Sequence, residues 1–179
     1  MFRPFLFVFL YCLSLPVFAD HNRIPKAIHS ICKTDPVECL TSAPDVYPLL
    51  HSNSTAWFKL RTYEIQANYT LSRIEQLLAL TKSEVDNLDS PKEFQFIVNY
   101  YHAKGLLWIE DREGGDTYLN KAKRLYTELK TKKQDPKLMA LYGNLLLVEA
   151  HRVAADASPE VARAKYIETQ KALLAINKK

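Results

Sequence analysis

Residues 90–129 read SPKEFQFIVNYYHAKGLLWIEDREGGDTYLNKAKRLYTEL, and this stretch holds two helices of different character with a turn between them. Ser90 at the N-cap, Pro91 at the first helical position and Glu93 at the third form a capping box. Behind it, Phe94, Phe96, Ile97, Val98, Tyr100, Tyr101, Leu106, Leu107, Trp108 and Ile109 go most of the way round a helix. Such a helix needs neighbours on more than one side. Gly114-Gly115-Asp116 is expected to end this helix and cap the next. After it, Tyr118, Ala122, Leu125, Tyr126 and Leu129 recur at helical spacing as one apolar stripe. An enclosed helix followed by a one-faced helix is the unit of a stack of helical hairpins.

The same grammar continues in both directions. Asp135-Pro136 and Ser158-Pro159-Glu160 repeat the cap-then-proline start, and Ser52-Asn53-Ser54 and Asn68-Tyr69-Thr70 are weaker versions. The chain therefore predicts six helices after residue 52, at about 54–68, 70–88, 91–112, 116–133, 136–155 and 159–177. No segment alternates as a strand would. The fold class expected is all-α: stacked antiparallel helical hairpins forming a short solenoid.

An internal repeat supports the stack. Leu106-Leu107-Trp108-Ile109-Glu110 returns as Leu145-Leu146-Leu147-Val148-Glu149, and Ala122/Tyr126 returns as Ala162/Tyr166, so the last two hairpins read as copies. A small residue followed four positions later by an aromatic, with Gly105 in the first helix and Pro136 opening the next unit, resembles tetratricopeptide-like repeats over residues 91–179. Helical periplasmic sensor regions of bacterial signalling proteins are similar. In a tetratricopeptide-like hairpin the first helix lines the concave face. The resemblance thus implies a partner-binding role for the polar interruptions of the enclosed helices: Asn99, His102, Lys104, Asn144 and His151. It also makes Ala122/Tyr126 and Ala162/Tyr166 packing pairs.

The N-terminal end predicts export. Arg3 precedes the apolar run Phe5 to Leu13, and Val17-Phe18-Ala19 supplies the small residues of a cleavage site, so residues 1–19 read as a signal peptide and the mature chain as starting at Asp20. A membrane anchor fits less well, because the run stops at Pro16, short of a ~20-residue span. Lipoprotein processing at Cys12 fits less well again, since bulky Tyr11 precedes it. Residues 20–53 form a short-helix region and 54–179 the hairpin domain. In an oxidising compartment the remaining Cys32 and Cys39 are expected to join. Seven residues of unbroken helix would hold the thiols apart, but Asp35-Pro36 breaks it and lets the chain turn.

The formal net charge is +4, with 24 basic and 20 acidic groups mixed along the chain, which implies no nucleic-acid partner. The basic run Lys121, Lys123, Arg124, Lys130, Lys132, Lys133 and Lys137 falls largely on the polar face of a helix and the turn after it. His21, His29, His51, His102 and His151 lack zinc-site spacing, and Gly114-Gly115 is not a phosphate loop. No metal or cofactor is expected. Glu110, Asp111 and Glu113 beside Trp108 could suggest a glycan-cleaving carboxylate pair, but adjacent carboxylates at a helix end read first as solvated surface.

The expectation is a non-enzymatic, periplasmic or secreted binding or scaffold protein that takes a protein or peptide partner in a helical groove and is not inserted in the membrane once the signal is removed. A ligand-sensing accessory module is the alternative, and a cell-wall enzyme a more distant one.

Overall fold

The computed structural model describes residues 23–129 and 135–177, and side chains to residue 175. The expected signal peptide, Asp20, His21 and the lysines at 130, 132 and 133 lie outside the described residues.

Eight α-helices make up the described chain: α1 (Lys26–Thr34), α2 (Pro36–Val46), α3 (Thr55–Thr70), α4 (Ile74–Lys82), α5 (Lys92–Trp108), α6 (Arg112–Leu129), α7 (Pro136–Asp156) and α8 (Pro159–Asn177). A single 3-10 turn, Tyr47–Leu49, follows α2. They pair as the hairpins α1/α2, α3/α4, α5/α6 and α7/α8, stacked in chain order.

Local chemistry sets most helix starts. Asp35 accepts from the amides of Val37 and Glu38 at 3.0 and 2.9 Å, with Pro36 opening α2. Ser54 Oγ accepts from Trp57 N at 3.2 Å, and Asp135 accepts from Lys137 N at 2.8 Å. These caps satisfy amides that have no partner within the helix. The break at Asp35-Pro36 brings Cys32 and Cys39 to a Cα separation of 4.5 Å, and the two are joined by a disulfide.

Three boundaries differ from the sequence expectation. The capping box at Ser90 does not form: Pro91 holds the N-cap position without a side-chain cap, while Ser90 Oγ donates to Asn87 O at 2.7 Å. Gln95 instead ties the loop down, its Nε2 donating to Ser90 O at 2.8 Å and Leu88 O at 3.2 Å. The second helix ends at Lys82 rather than near 88, because Thr81 and Ser83 hydroxyls bond back to the carbonyls of Leu77 and Leu80 and the chain turns. Gly114 and Gly115 lie inside α6, which Asp111 caps by accepting from Gly114 N at 3.0 Å.

Those glycines serve packing. A Cβ on Gly115 would stand 2.5 Å from Leu107 Cγ, and one on Gly105 would stand 2.8 Å from Leu78 Cδ2. The missing side chains let α6 close on α5 and α4 close on α5.

The main core runs through α3 to α7, with Ile65, Leu77, Phe96, Val98 and Leu145 fully buried. Aromatic pairs connect the layers: Phe58 to Phe94 at 4.8 Å between α3 and α5, and Tyr126 stacked on Tyr142 at 3.8 Å between α6 and α7. A smaller cluster of Ala43, Val46, Leu50, Ala56 and Leu60 seats α2 on α3.

The structural repeat is not the one the sequence suggested. At the end of α3, Arg73 N bonds Asn68 O and Ser72 N bonds Tyr69 O, with Ser72 at φ 55°. At the end of α5, Asp111 N bonds Leu106 O and Glu110 N bonds Leu107 O, with Glu110 at φ 65°. Both are Schellman ends with a non-glycine residue in the left-handed position. Hairpins α3/α4 and α5/α6 therefore share one turn geometry despite poor sequence agreement. By contrast, Glu110 occupies this turn whereas Glu149 sits inside α7, so the two Leu-rich segments are not equivalent in register.

Candidate functional site

The curvature of the stack follows from which helices touch. The first helices of successive hairpins are neighbours, α1 on α3, α3 on α5 and α5 on α7. No comparable run of contacts joins α2 to α4, α4 to α6 or α6 to α8 among the described residues. In a solenoid the helices that stay in contact from one hairpin to the next are those of the inner side, here α1, α3, α5 and α7.

On α5, Lys104 is half-buried and its Nζ lies 3.9 Å from the Tyr69 ring centroid and 5.3 Å from that of Tyr100. Tyr69 in turn meets Tyr101 edge-on at 5.4 Å. Burial and the neighbouring Tyr69 push the Tyr101 hydroxyl up to about 12, against a lowering hydrogen bond with Gln66. Burial pushes Tyr100 up as well. The patch is a tyrosine cluster holding Lys104 by cation–π contact.

On α7, Asn144 and His151 are exposed, and Lys137, Ala140, Leu147 and Ala155 share their exposed row at helical spacing. Leu147 is 37% exposed. His151 is positioned by Tyr166 of α8, whose hydroxyl lies 3.0 Å from its Nδ1 with the rings edge-on at 5.6 Å.

Asn99 and His102 are not where the tetratricopeptide resemblance puts them. Asn99 is fully buried, its Nδ2 donating to Gln95 O at 2.7 Å, while its Oδ1 has no partner. His102 is buried with Nδ1 2.8 Å from Thr81 Oγ1 and Tyr118 edge-on at 4.5 Å. Both lie on the flank of α5 that α4 and α6 enclose, so they are core groups and not a partner's first contacts. The five residues thus split into a surface set, Lys104, Asn144 and His151, and a buried pair. Tyr166, expected to pack like Tyr126, is 39% exposed because no further hairpin covers α8 among the described residues.

A second cluster was not anticipated. The Arg61 guanidinium lies against the rings of both Tyr47 and Trp57, at 5.0 and 4.8 Å, and faces Glu64 at 3.1 Å and Glu84 at 3.5 Å. Tyr47 donates to the same Glu64 carboxylate, and burial, followed by Glu64, pushes its hydroxyl well up. The spacing of Arg61 and Glu64 signals an ion pair, but nothing local signals Glu84, which arrives from the turn after α4.

Glu149 of α7 accepts from Lys123 of α6 at 2.8 Å and from Lys165 of α8 at 3.1 Å. Burial works against its charge, yet the two ammonium hydrogen bonds outweigh it and hold the carboxyl below its usual range. Glu110 and Asp111 stand at the turn, Asp111 as the α6 cap and Glu110 as the left-handed residue, beside a Trp108 that is 58% exposed. Among the described residues no group of three or more His, Cys, Asp or Glu converges as metal ligands, and no helix is long and apolar enough to cross a membrane.

Comparison of the chain with protein-family models, with curated proteins and with solved structures found no match.

Proposed function

We propose that this chain is an exported, non-enzymatic binding or scaffold protein that holds a protein or peptide partner on the concave face of a tetratricopeptide-like stack. The observation that carries the reading is the exposed row on α7, with Asn144, Leu147 and His151 open to solvent on a helix whose other sides pack on α5, α6 and α8. A row that mixes an amide, an aliphatic group and an imidazole suits a peptide, which offers backbone groups and side chains together. The Lys104–tyrosine patch on α5 offers a further cation, held by aromatic rings, to such a partner. The Cys32–Cys39 disulfide supports an oxidising compartment, periplasmic or secreted.

Site-specific photo-crosslinking tests the reading. Benzoylphenylalanine at Asn144 or His151 is expected to trap one discrete partner in cells, whereas the same probe at Gln76 on α4 or Arg124 on α6 traps none. Equal trapping at both sets, or none at either, removes the groove.

A further inference from the structure

A separate concavity lies at the other end of the stack, where the start of α1 meets the first turn of α3. This cleft of about 280 Å³ is lined by Arg23, Lys26, His29, Thr55, Ala56 and Lys59 among others, with no carboxylate among the described lining residues. Many cations elsewhere on the chain are held in ion pairs. Arg61, Arg112, Lys121, Lys123, Arg152 and Lys165 each sit within 3.5 Å of a carboxylate. Lys26 and Lys59 have no such partner among the described residues.

His29 reports the local field. Its Nδ1 lies 2.8 Å from the Tyr63 hydroxyl, and with Tyr63 donating, Nε2 carries the ring proton as a free-standing donor type. Burial holds the imidazole below its ordinary value, and the ammonium groups of Lys59, Lys33 and Lys137 push it further the same way. Thr55 and Ala56 are the first residues of α3, whose cap Ser54 is engaged with Trp57 N, so the positive end of that helix adds to the field.

We propose that this cleft binds a phosphate group through Lys26, Lys59 and His29. A doubly charged oxyanion offsets the mutual repulsion of the two lysines and accepts from several donors at once, the His29 ring N–H among them, which a single carboxylate does less well. The group belongs either to a small soluble phosphate compound or to a phospholipid headgroup. The inference is independent of the groove, since no cleft residue belongs to α5 or α7.

The test is an amide and imidazole NMR titration of the purified chain with inorganic phosphate at constant ionic strength, beside flotation with phosphatidylcholine vesicles with and without phosphatidic acid. Saturable shifts at His29, Thr55, Ala56 and Lys59 are expected, weakened about tenfold or more in the Lys26→Gln/Lys59→Gln variant at unchanged melting temperature. Saturation by free phosphate assigns a soluble ligand. Flotation only on phosphatidic acid vesicles, lost in the same variant, assigns a headgroup. Shifts that never saturate, that saturate equally with chloride, or that persist in the variant overturn the site, as does the lack of both phosphate saturation and vesicle binding.

Discussion

His102 Nδ1 lies 2.8 Å from Thr81 Oγ1, whose own hydroxyl donates to Leu77 O at 2.7 Å. Because the Thr81 proton is committed to that carbonyl, the hydroxyl oxygen accepts, and His102 carries its proton on Nδ1. A histidine expected at the groove is in fact a fixed link between α4 and α5. His102→Ala should therefore cost about 2–3 kcal/mol, from a lost buried hydrogen bond and the cavity left by the ring. Asn144→Ala, on the exposed row, should change stability by less than about 0.5 kcal/mol. Urea unfolding of the two single variants checks both.

The same burial sets the pH behaviour of His102. Desolvation lowers its folded value from 6.5, opposed by Asp86 and Asp111 and assisted by Lys82 and Lys121. The unfolded chain then binds the proton more readily than the folded one. The contribution is intact above about 6.5 and is lost as pH falls from there through the folded value. Imidazole NMR should place the His102 midpoint below 6.5, and a midpoint above it contradicts the burial argument.

The two Ala/Tyr pairs should respond differently to the same change. Ala122 is fully buried, so Ala122→Leu should overpack the α5/α6 layer and cost about 1–3 kcal/mol. Ala162 is only half-buried near the start of α8, and Ala162→Leu should cost under about 0.5 kcal/mol. Equal costs at the two sites would restore the repeat read from the sequence.

Glu110 holds φ 65° at the end of α5. A left-handed conformation costs an L-residue roughly 1–2 kcal/mol, so Glu110→Gly should stabilise the chain by up to about 1 kcal/mol after the entropy of the freer unfolded chain is counted. Thermal melting reads the sign directly, and a lower melting temperature would count against the strained turn.

Glu149→Gln should destabilise the last hairpin by about 1–2 kcal/mol, a value reduced from that of a buried charged hydrogen bond because the carboxylate and its lysines are partly exposed. Its folded value lies below the usual 4.5, so the contribution is present above that pH and lost as pH falls through the folded value. Hydrogen exchange on α7 and α8 should accelerate in the variant while α3 to α5 stay protected.

Several features were legible in the chain alone because their causes lie within a few residues. Asp135-Pro136 and Ser158-Pro159 start α7 and α8 within one residue of expectation, and Asp35-Pro36 supplies the turn that joins Cys32 to Cys39. A cap is a contact between a side chain and an amide two or three positions on, so the sequence states it outright.

Where a residue three or four turns along a helix points is a different matter. Asn99 and Asn144 are the same residue type in apolar helices, yet one is fully buried and the other exposed. The difference is that α5 has neighbours on both flanks whereas α7 keeps an open face, and that depends on helices far away in the chain. Likewise the matched turns at Ser72 and Glu110 use residues with no glycine signal, and hairpin packing supplies what their local preference lacks. The sequence by itself determined which segments are helical and where most of them begin. Only the tertiary structure decided which polar groups are buried and which are exposed, because burial is a sum over long-range neighbours that no local pattern encodes.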